Sequence, residues 1–393
     1  MSGHRKVVIL GGGLAGGLLA YRLAQKGFKK FLIIDQGSQF GGDHTWSFFD
    51  SDVHTQGVSW IEPFRQFQWV SHKVRFSDYE RSLSEGYNTC RSEHFSKILC
   101  RVIPKENRWM ATKVTHVSHG EIVVNGDRRV KYDHLIDARG RGFNSFGPCG
   151  YQKFVGQDLQ FDRPHKLKTP IIMDASVEQL DGFRFMYVLP LTPTRLLVED
   201  TRYSRSPLID EDEFDFEIQS YVTQKFLGNY QVVRQEKGCL ALPLTMTQYQ
   251  QPADRGQYNI GLRAGMFQPV TGYSFPYAAR WADQASDWLV SDLKEFPDRF
   301  RRALRREKSK ARFFFLLNRM MFGAATDANR WRIFDRFYRL NESMIQNFYR
   351  GELSLADKVR LLSGRPPVPV SEAIRSLADS EWMRQLPQPE ARL

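Results

Sequence analysis

The sequence predicts an α/β fold with three parts: a domain built on a parallel sheet, a β-rich domain and a helical C-terminal part. Three observations support this prediction. Strand, loop, helix and strand patterns alternate in the first 35 residues, strand patterns dominate residues 166–238, and helical spacing extends from about residue 273 to 360. A chain of 393 residues is long enough for two or three domains, and 25% charged residues fit a folded protein.

The N-terminal residues predict a Rossmann-type unit that binds a dinucleotide. A strand, a helix and a second strand are predicted at Lys6–Leu10, Leu14–Lys26 and Phe31–Ile34. Between and after them stand the glycines and the acid of the G-x-G-x-x-G pattern: Gly11, Gly13, Gly16 and Asp35. The glycines allow a tight turn and close approach of the backbone to a pyrophosphate, which the helix N-terminus attracts, and the acid accepts hydrogen bonds from ribose. The alternative is a tight strand–helix turn without a ligand.

No second G-x-G-x-x-G pattern follows a strand, so we expect one bound dinucleotide and no dedicated NAD(P)H domain. The dinucleotide-binding domain is expected to be discontinuous, and the predicted divisions are 1–80 with about 91–150 and 255–293, then a β-rich substrate domain at 151–254, then a helical part at 294–393.

The later elements follow the same patterns. In the β-rich region, strands are predicted at Thr169–Met173, Phe183–Leu189, Arg195–Glu199 and Tyr230–Gln235, with an acidic helix at Glu211–Phe226. A further strand is predicted at Asn259–Leu262, before a loop rich in glycine and proline and a helix from about Tyr273 to Leu293.

Composition excludes several classes of protein. The four cysteines lie far apart without a C-x-x-C pair, which argues against a zinc ribbon, a disulfide framework or a thioredoxin-type redox pair. No metal site is predicted. No apolar run reaches the roughly 20 residues of a membrane-spanning helix, and no signal peptide is recognised, so we expect a cytoplasmic protein.

Positive charge is concentrated near the C-terminus. Residues 299–340 hold 13 of the Lys/Arg residues and only 3 Asp/Glu residues, which suggests an anionic partner. Arg330, Arg332, Arg336 and Arg339 alternate with aromatic residues at helical spacing. Two interpretations stay open: an anionic membrane surface, or an aromatic stripe that faces the core beside a solvated basic face. Nucleic acid is not expected, because no binding module is recognised.

Several strings together resemble a known family. Gly11–Gly17 with Asp35, 41–48 and 137–140 resemble a single-FAD flavoprotein. Strings at 190–201, 261–274, 314–322 and 362–370 are similar to those of the bacterial lycopene β-cyclase family of carotenoid-pathway flavoproteins. The resemblance covers nearly the whole chain. It implies an isomerase that cyclises the linear ends of lycopene to β-rings, giving γ-carotene and then β-carotene.

The resemblance also implies a cofactor and a location. The family binds FAD and needs it reduced, with NAD(P)H as the electron source, although the product shows no net redox change. Arg139, Gly265 and Gly272 are expected to contribute to FAD binding, since the helix after the last two would point its positive end at the flavin. We expect peripheral association with the inner face of the cell membrane. Nothing in the sequence predicts the oligomeric state.

Glu199 is the predicted acid. Cyclisation begins with protonation of a carbon–carbon double bond, all nine histidines lie at or before His165, and Glu199 ends an apolar strand. Burial would have to raise its pKa from about 4.3 to keep it protonated at neutral pH. Side chains alternate along a strand, so Asp200 should face the other side, where we expect it to pair with arginine.

Alternatives remain. A flavin-dependent monooxygenase or a polyprenoid reductase would also act on an apolar substrate, and a non-catalytic carotenoid- or flavin-binding protein is a third reading. The flavin hydroxylases carry Gly-Asp where this chain has Arg263-Ala264-Gly265, which argues against hydroxylase activity. For His44, Trp46, Asp174 and Arg139, a structural role is as plausible as a role in a site.

Overall fold

The computed structural model describes residues 5–54, 59–140, 147–246, 251–252, 256–364, 367–379 and 381–386. Its first sheet has seven strands in the order β8-β2-β1-β11-β10-β9, with β17 paired to β11. These strands are β1 Arg5–Leu10, β2 Phe31–Ile34, β8 Arg108–Trp109, β9 Val114–Ser118, β10 Glu121–Val124, β11 Arg128–Asp137 and β17 Gln257–Asn259. Strand β1 lies parallel to β2 and to β11, and α1 (Leu14–Gln25) crosses between the first two strands. The Rossmann-type unit is therefore confirmed.

Continuous apolar strands build this domain because both faces of the parallel sheet are buried. Alternate residues of β1 face opposite cores, with Val7 and Ile9 packed under α1 and Val8 and Leu10 packed under the β9–β10 meander. Helices α3 (Ser92–Val102) and α5 (Phe275–Ser291) complete the first of these cores.

The predicted strand at Asn259–Leu262 is wrong beyond its first residue. Strand β17 ends at Asn259, and Gly261–Ala264 form a 3-10 turn that Gly265 closes in the left-handed conformation, at φ 69°. Gly261 also has a positive φ, 62°, so the glycines turn the chain where the apolar pattern alone suggests that the strand continues.

The second sheet also has seven strands, in the order β16-β12-β15-β14-β13-β5-β6. These strands are β5 His72–Phe76, β6 Tyr79–Leu83, β12 Cys149–Phe161, β13 Ile171–Asp174, β14 Phe183–Thr192, β15 Arg195–Ser204 and β16 Tyr230–Pro243. Helix α4 (Glu211–Lys225) covers one face of this sheet, where Met186, Val188 and Val198 meet Phe214 and Ile218.

The other face of the second sheet meets the helical C-terminal part. Leu189 and Leu197 share a core there with Phe314, Phe337 and Phe348. The helices after α5 are α6 Phe296–Gly323, α7 Trp331–Tyr338, α8 Glu342–Arg350, α9 Leu355–Leu362, α10 Val370–Ala378 and α11 Glu381–Arg384. In the described part of the chain, none of the helices is both long and apolar enough to cross a membrane.

A small antiparallel sheet and a short helix α2 (Ser51–His54) join the two large sheets. The small sheet consists of β3 Thr45–Phe49, β7 Tyr87–Arg91 and β4 Phe67–Trp69. Strand β3 begins three residues after Gly42, so the chain that leaves the Rossmann-type unit enters the small sheet, where Ser47 hydrogen-bonds with Tyr187 of the second sheet.

Candidate active site

A cavity of about 550 Å³ lies at the carboxyl ends of β1, β2 and β11. Four of the residues predicted to bind the dinucleotide line it: Gly11, Gly13, Asp35 and Arg139. Ligands of open α/β sheets bind at this edge, next to the first helix N-terminus. The first helix, α1, begins after Gly13 without a side-chain cap, so its N-terminal N–H groups are available to an anion in the cavity.

The three glycines of the motif have different structural roles. Gly11 has a φ of 97°, and a Cβ there would come within 2.8 Å of the Arg139 backbone nitrogen. A Cβ on Gly16 would stand 2.0 Å from the Gly11 carbonyl oxygen, so this residue permits close packing of helix on strand and does not line the cavity. A Cβ on Gly13 would meet no protein atom within 4 Å, because this residue faces the cavity itself. These features fit a pyrophosphate.

The charged residues of the cavity are held in place by the fold. The Asp35 carboxylate accepts hydrogen bonds from the Gly12 and Gly37 backbone nitrogens at 2.5 and 2.6 Å. The Arg139 guanidinium pairs with Asp137, its Nη2 lying 2.6 Å from Oδ2, and Arg263 pairs with the same carboxylate at 3.1 Å.

The segment before α5 also lines this cavity, but not through the two glycines that the sequence predicted. Gly261, Met266 and Ser274 line it, whereas Gly265 and Gly272 are not among its lining residues. Gly265 closes the 3-10 turn, and a Cβ on Gly272 would lie 2.6 Å from Leu240 Cδ1. The two glycines therefore shape the loop that leads to α5, and a direct contact between them and the cofactor stays a prediction.

A second cavity, of about 210 Å³, contains Glu199. Glu199 lies on strand β15, and its side chain lines the cavity. The Thr201 hydroxyl, two residues along the same strand face, donates a hydrogen bond of 2.6 Å to Glu199 Oε1. Burial, reinforced by the nearby carboxylate of Glu236, raises the pKa of Glu199 to about 8, against the opposing hydrogen bond from Thr201. This residue is therefore largely protonated at neutral pH.

Asp200 faces the opposite side of the sheet, as predicted. It is fully buried under α4, where Arg184 Nε donates to its Oδ2 at 2.9 Å and Arg202 Nη2 donates to the same oxygen at 3.1 Å. The prediction of an arginine-paired structural carboxylate is confirmed. Asp174, the other acid left open, is also buried, and accepts from Arg75 and Tyr221 at 2.9 and 2.8 Å.

Aromatic side chains form a large part of the wall around Glu199. The lining includes Phe49, Phe154, Phe185 and the five tyrosines Tyr87, Tyr187, Tyr203, Tyr273 and Tyr349. Tyr187 pairs with Glu199 across β14 and β15, and its hydroxyl hydrogen-bonds with Ser47 at 2.7 Å and with Tyr87 at 2.9 Å. Burial raises the pKa of each of the five tyrosines, so all are neutral at pH 7. The faces of such rings attract a cation.

A third cavity, of about 340 Å³, lies among the C-terminal helices and is lined mainly by apolar residues of α6, α7 and α10, such as Leu317, Phe334 and Ile374. Thr271 and Tyr349 line both this cavity and the Glu199 cavity. His44 lines both the Glu199 cavity and the dinucleotide cavity, and Trp46 lines the latter. The Glu199 cavity therefore adjoins a site for a dinucleotide on one side and a hydrocarbon-lined space on the other.

Comparisons with known proteins agree with this arrangement. The sequence profile of the lycopene cyclase protein family matches residues 6–375. This chain belongs to the lycopene cyclase family. A lycopene β-cyclase of Pseudescherichia vulneris is 39% identical to it over 95% of this chain and 97% of its own length. One from Pantoea ananas is 38% identical over 96% and 99%, and one from a Paracoccus species is 36% identical over 96% and 98%. Membership places the chain among the cyclases, which are isomerases.

The fold is that of FAD-dependent flavoproteins. A geranylgeranyl bacteriochlorophyll reductase-like protein of Thermoplasma acidophilum has a TM-score of 0.64 at 13% identity, over 96% of this chain and 99% of that one. A halogenase solved in complex with FAD has a TM-score of 0.62 at 10% identity, over 88% of this chain and 82% of that one. The predicted α/β fold of the flavoprotein type is confirmed.

Sequence reasoning missed part of this family member's site. Glu236 and Tyr187 line the Glu199 cavity, but they stand 37 and 12 residues from Glu199 along the chain, and only sheet pairing brings them together. The strand predicted at Tyr230–Gln235 stops one residue before Glu236, whereas β16 continues to Pro243. Extending the predicted strand beyond Gln235 would have placed Glu236 on the sheet, but it would not have shown that Glu236 lies beside Glu199.

The basic zone needs a correction. Arg330, expected on an exposed basic face, is fully buried: it forms an ion pair with Asp327 at 2.7 Å and donates to the Tyr203 carbonyl oxygen at 2.7 Å. Phe334 and Phe337 of the aromatic stripe pack in the core beneath the second sheet. The core-facing reading is right for the stripe, because α7 fills the space between that sheet and α8. Arg332 and Arg339 are exposed.

Proposed function

We propose that this protein is a lycopene β-cyclase that converts the linear ends of lycopene to β-rings by an acid-initiated, redox-neutral reaction dependent on reduced FAD. One observation carries the proposal: a neutral carboxylic acid, Glu199, stands in an aromatic cavity that adjoins both the FAD cavity and an apolar cavity. The names of the three relatives supply the substrate class.

Glu199 supplies the proton in this scheme. Protonation of the terminal double bond of lycopene leaves a tertiary carbocation, which the neighbouring double bond attacks to close the ring, and loss of a ring proton restores an alkene. Because the substrate offers no lone pair, the acid must be neutral and its surroundings dry. Burial and Glu236 meet the first condition, and the aromatic residues of the cavity contribute to the second.

The same cavity can stabilise the cation. Tyr187, Phe185 and Phe154 line the cavity beside Glu199, and the faces of such rings attract positive charge. Bound FAD, in its reduced anionic form, would supply negative charge next to the cation. The N-terminus of α5 approaches the FAD cavity through Ser274 and Ala278, and its dipole favours that negative charge. NAD(P)H is the proposed electron source.

The apolar cavity fits the remainder of a long hydrocarbon. Thr271 and Tyr349 mark its boundary with the Glu199 cavity, so one end of the substrate would reach the acid while the chain extends between α6, α7 and α10. The second end would then enter in a separate event, through γ-carotene as the intermediate product.

The test is anaerobic turnover. Purified protein with photoreduced FAD should convert lycopene to products of unchanged mass over many turnovers, and NADPH should be consumed only in reducing the flavin. A requirement for oxygen would instead indicate a monooxygenase. One NADPH oxidised per product bond would indicate a polyprenoid reductase.

We also propose that the protein binds the inner face of the cell membrane through α9 and α10, rather than through α7. Leu355 is 77% exposed, Ile374 is 62% exposed and Val359 is 59% exposed. Ile374 and Leu362 also line the apolar cavity, so its wall reaches the protein surface here. Exposed basic residues flank this apolar face, namely Arg360 on α9, Arg375 on α10 and Arg312 on α6, and these complement anionic headgroups.

Vesicle sedimentation tests this surface. Val359→Glu with Ile374→Glu should reduce binding to phosphatidylglycerol/phosphatidylcholine vesicles about tenfold or more, since both changes place charge at the apolar interface. Leu227→Glu is the matched control, because Leu227 is 77% exposed in the loop between α4 and β16. If the double variant still binds the vesicles and the Leu227→Glu control does not, a different face of the protein contacts the membrane.

A further inference from the structure

A second acid, Glu236, stands close to Glu199 on the same sheet. Strand β12 runs between β15 and β16, and Gly156 of β12 is in register with Glu199 on one side and Glu236 on the other. A Cβ on Gly156 would lie 3.3 Å from Glu236 Cγ and 3.5 Å from Glu199 Cβ. Because Gly156 has no side chain, nothing on β12 separates the two acids at this position, and both line the same cavity.

The hydrogen-bond and ion-pair partners of Glu236 favour its charged form. The Thr45 hydroxyl donates to Glu236 Oε2 at 2.9 Å, and Arg234 Nη2 lies 2.7 Å from the same oxygen. Burial raises the pKa of Glu236, and the adjacent Arg234 and Thr45 oppose that rise. Arg234 also pairs with Asp43 at 2.6 Å. Glu93 lies 3.7 Å from Arg234 Nε, so three carboxylates share one guanidinium, and the cluster of Asp43, Glu93, Arg234 and Glu236 carries a net negative charge.

We propose that the ionised Glu236 is a positioning residue, which keeps the Glu199 carboxyl protonated at neutral pH by opposing a second negative charge across Gly156. The proposal rests on the proposed function, in which Glu199 is the acid. Its physical basis is the general behaviour of two carboxylates in one site: their environments separate their protonation states, so that one is the acid and the other stays charged.

The other charged groups around Glu199 are compensated or neutral. Asp200, behind the strand, is paired with Arg184 and Arg202. Lys237 forms an ion pair with Glu211 at 2.6 Å. Burial lowers the pKa of His44, and the five cavity tyrosines are neutral as described above. The Glu236 cluster is therefore the source of negative charge on the cavity side of the sheet.

The pH profile of ring formation tests this role. Glu236→Gln should retain FAD and a native circular dichroism spectrum, and it should form rings at pH 6 within about threefold of the wild-type rate. The rate of ring formation falls as pH rises, and the midpoint of that fall, the alkaline limb of the profile, should lie about one pH unit lower than in wild type. The reason is that Glu199 ionises more readily without its charged neighbour. Glu236→Asp retains the charge and should retain the wild-type limb. Asp212→Asn, which removes an exposed carboxylate from α4 of the same domain, is the control.

Two results would overturn the inference: an unshifted limb in Glu236→Gln, or loss of activity at every pH in a folded, FAD-loaded Glu236→Gln protein, which would indicate direct contact with the reaction. Glu199→Gln, assayed in parallel, separates this failure from failure of the proposed function. If Glu199→Gln is inactive while the alkaline limb of Glu236→Gln is unshifted, the proposed role of Glu236 is wrong but the proposed function stands. If Glu199→Gln is active, the proposed acid itself is wrong.

Discussion

The adjacent acids Glu199 and Asp200 on β15 lie in different environments because successive side chains of a strand face opposite sides of the sheet. Glu199 points into a cavity lined in large part by aromatic residues, and Thr201 donates a hydrogen bond to it there. Asp200 points under α4, between two arginines. The alternation could be predicted from sequence, and so could the pairing of Asp200 with arginine. Arg202 lies two residues after Asp200 on the same face of β15, so the same alternation covers it. Arg184 could not be identified, since it comes from the neighbouring strand β14.

The first prediction compares two isosteric changes at these positions. Glu199→Gln keeps the shape but removes the acidic proton, so ring formation should fall by about 10²–10⁴-fold at equal FAD occupancy. Asp200→Asn leaves two buried guanidinium groups short of a partner, so it should lose about 3 kcal/mol of stability but stay within about tenfold in activity. Product analysis and urea unfolding measure the two effects. The reverse order of activities would move the proton source to Asp200, and activity in both variants would indicate the reduced flavin as the acid.

The second prediction concerns pH. Since the pKa of Glu199 is raised to about 8, ring formation should fall as pH rises through about 8. The same shift affects stability. The protonated carboxyl favours the folded state, so its contribution is complete below the unfolded pKa of about 4.5 and is lost as pH rises through 8.

Glu199→Gln cannot ionise, so it should become more stable relative to wild type between pH 5 and pH 9, by about 1–3 kcal/mol. Urea unfolding at both pH values measures this difference. Asp52, whose pKa burial raises to about 7, is present in both proteins and cancels in the comparison. A stability difference that does not change with pH would mean that Glu199 is ionised in the folded protein at neutral pH.

At the scale of elements, the Rossmann-type unit was the most predictable part of the fold. Its strands, glycines and helix are contiguous in sequence, so local patterns specify them: the predicted strand Phe31–Ile34 and helix start at Leu14 match β2 and α1. Strands β5 and β6 show the limit. They precede β7 in the chain yet join the second sheet through the parallel pairing of β5 with β13, about 100 residues away, for which no local signal exists.

The third prediction tests the cavity at the start of α1. Gly13→Val should fold normally, because a Cβ there meets no protein atom within 4 Å and the backbone φ of −68° suits any residue. It should nevertheless lose FAD, since the side chain would occupy the place of the pyrophosphate. Absorbance of the purified protein measures flavin content. Lys97→Val, on the exposed face of α3, controls for the added valine. Normal FAD content in a folded Gly13→Val protein would contradict the proposal that the FAD pyrophosphate binds in this cavity.

At the scale of the whole molecule, three cavities share lining residues, and under the proposed function this arrangement would let a flavoprotein fold act on a hydrocarbon. His44 links the FAD cavity to the Glu199 cavity, and Tyr349 links the latter to the apolar cavity of the helical part. The sequence predicted the first cavity and the acid of the second. It did not predict the third, because the periodicity of α7 specifies an apolar face but not the partner that covers it. For the same reason Arg330 was expected outside and is buried.

The most direct test of the central claim is the origin of the new hydrogen in the product. The anaerobic reaction with reduced FAD, run in deuterium oxide, should place one solvent-derived deuterium in each ring, because Glu199 exchanges its proton with solvent and transfers it to carbon. Mass spectrometry should then show β-carotene two mass units heavier than that formed in ordinary water, and deuterated NADPH in ordinary water should leave the product unlabelled. Rings without solvent deuterium, or rings labelled from NADPH, would contradict acid-initiated cyclisation.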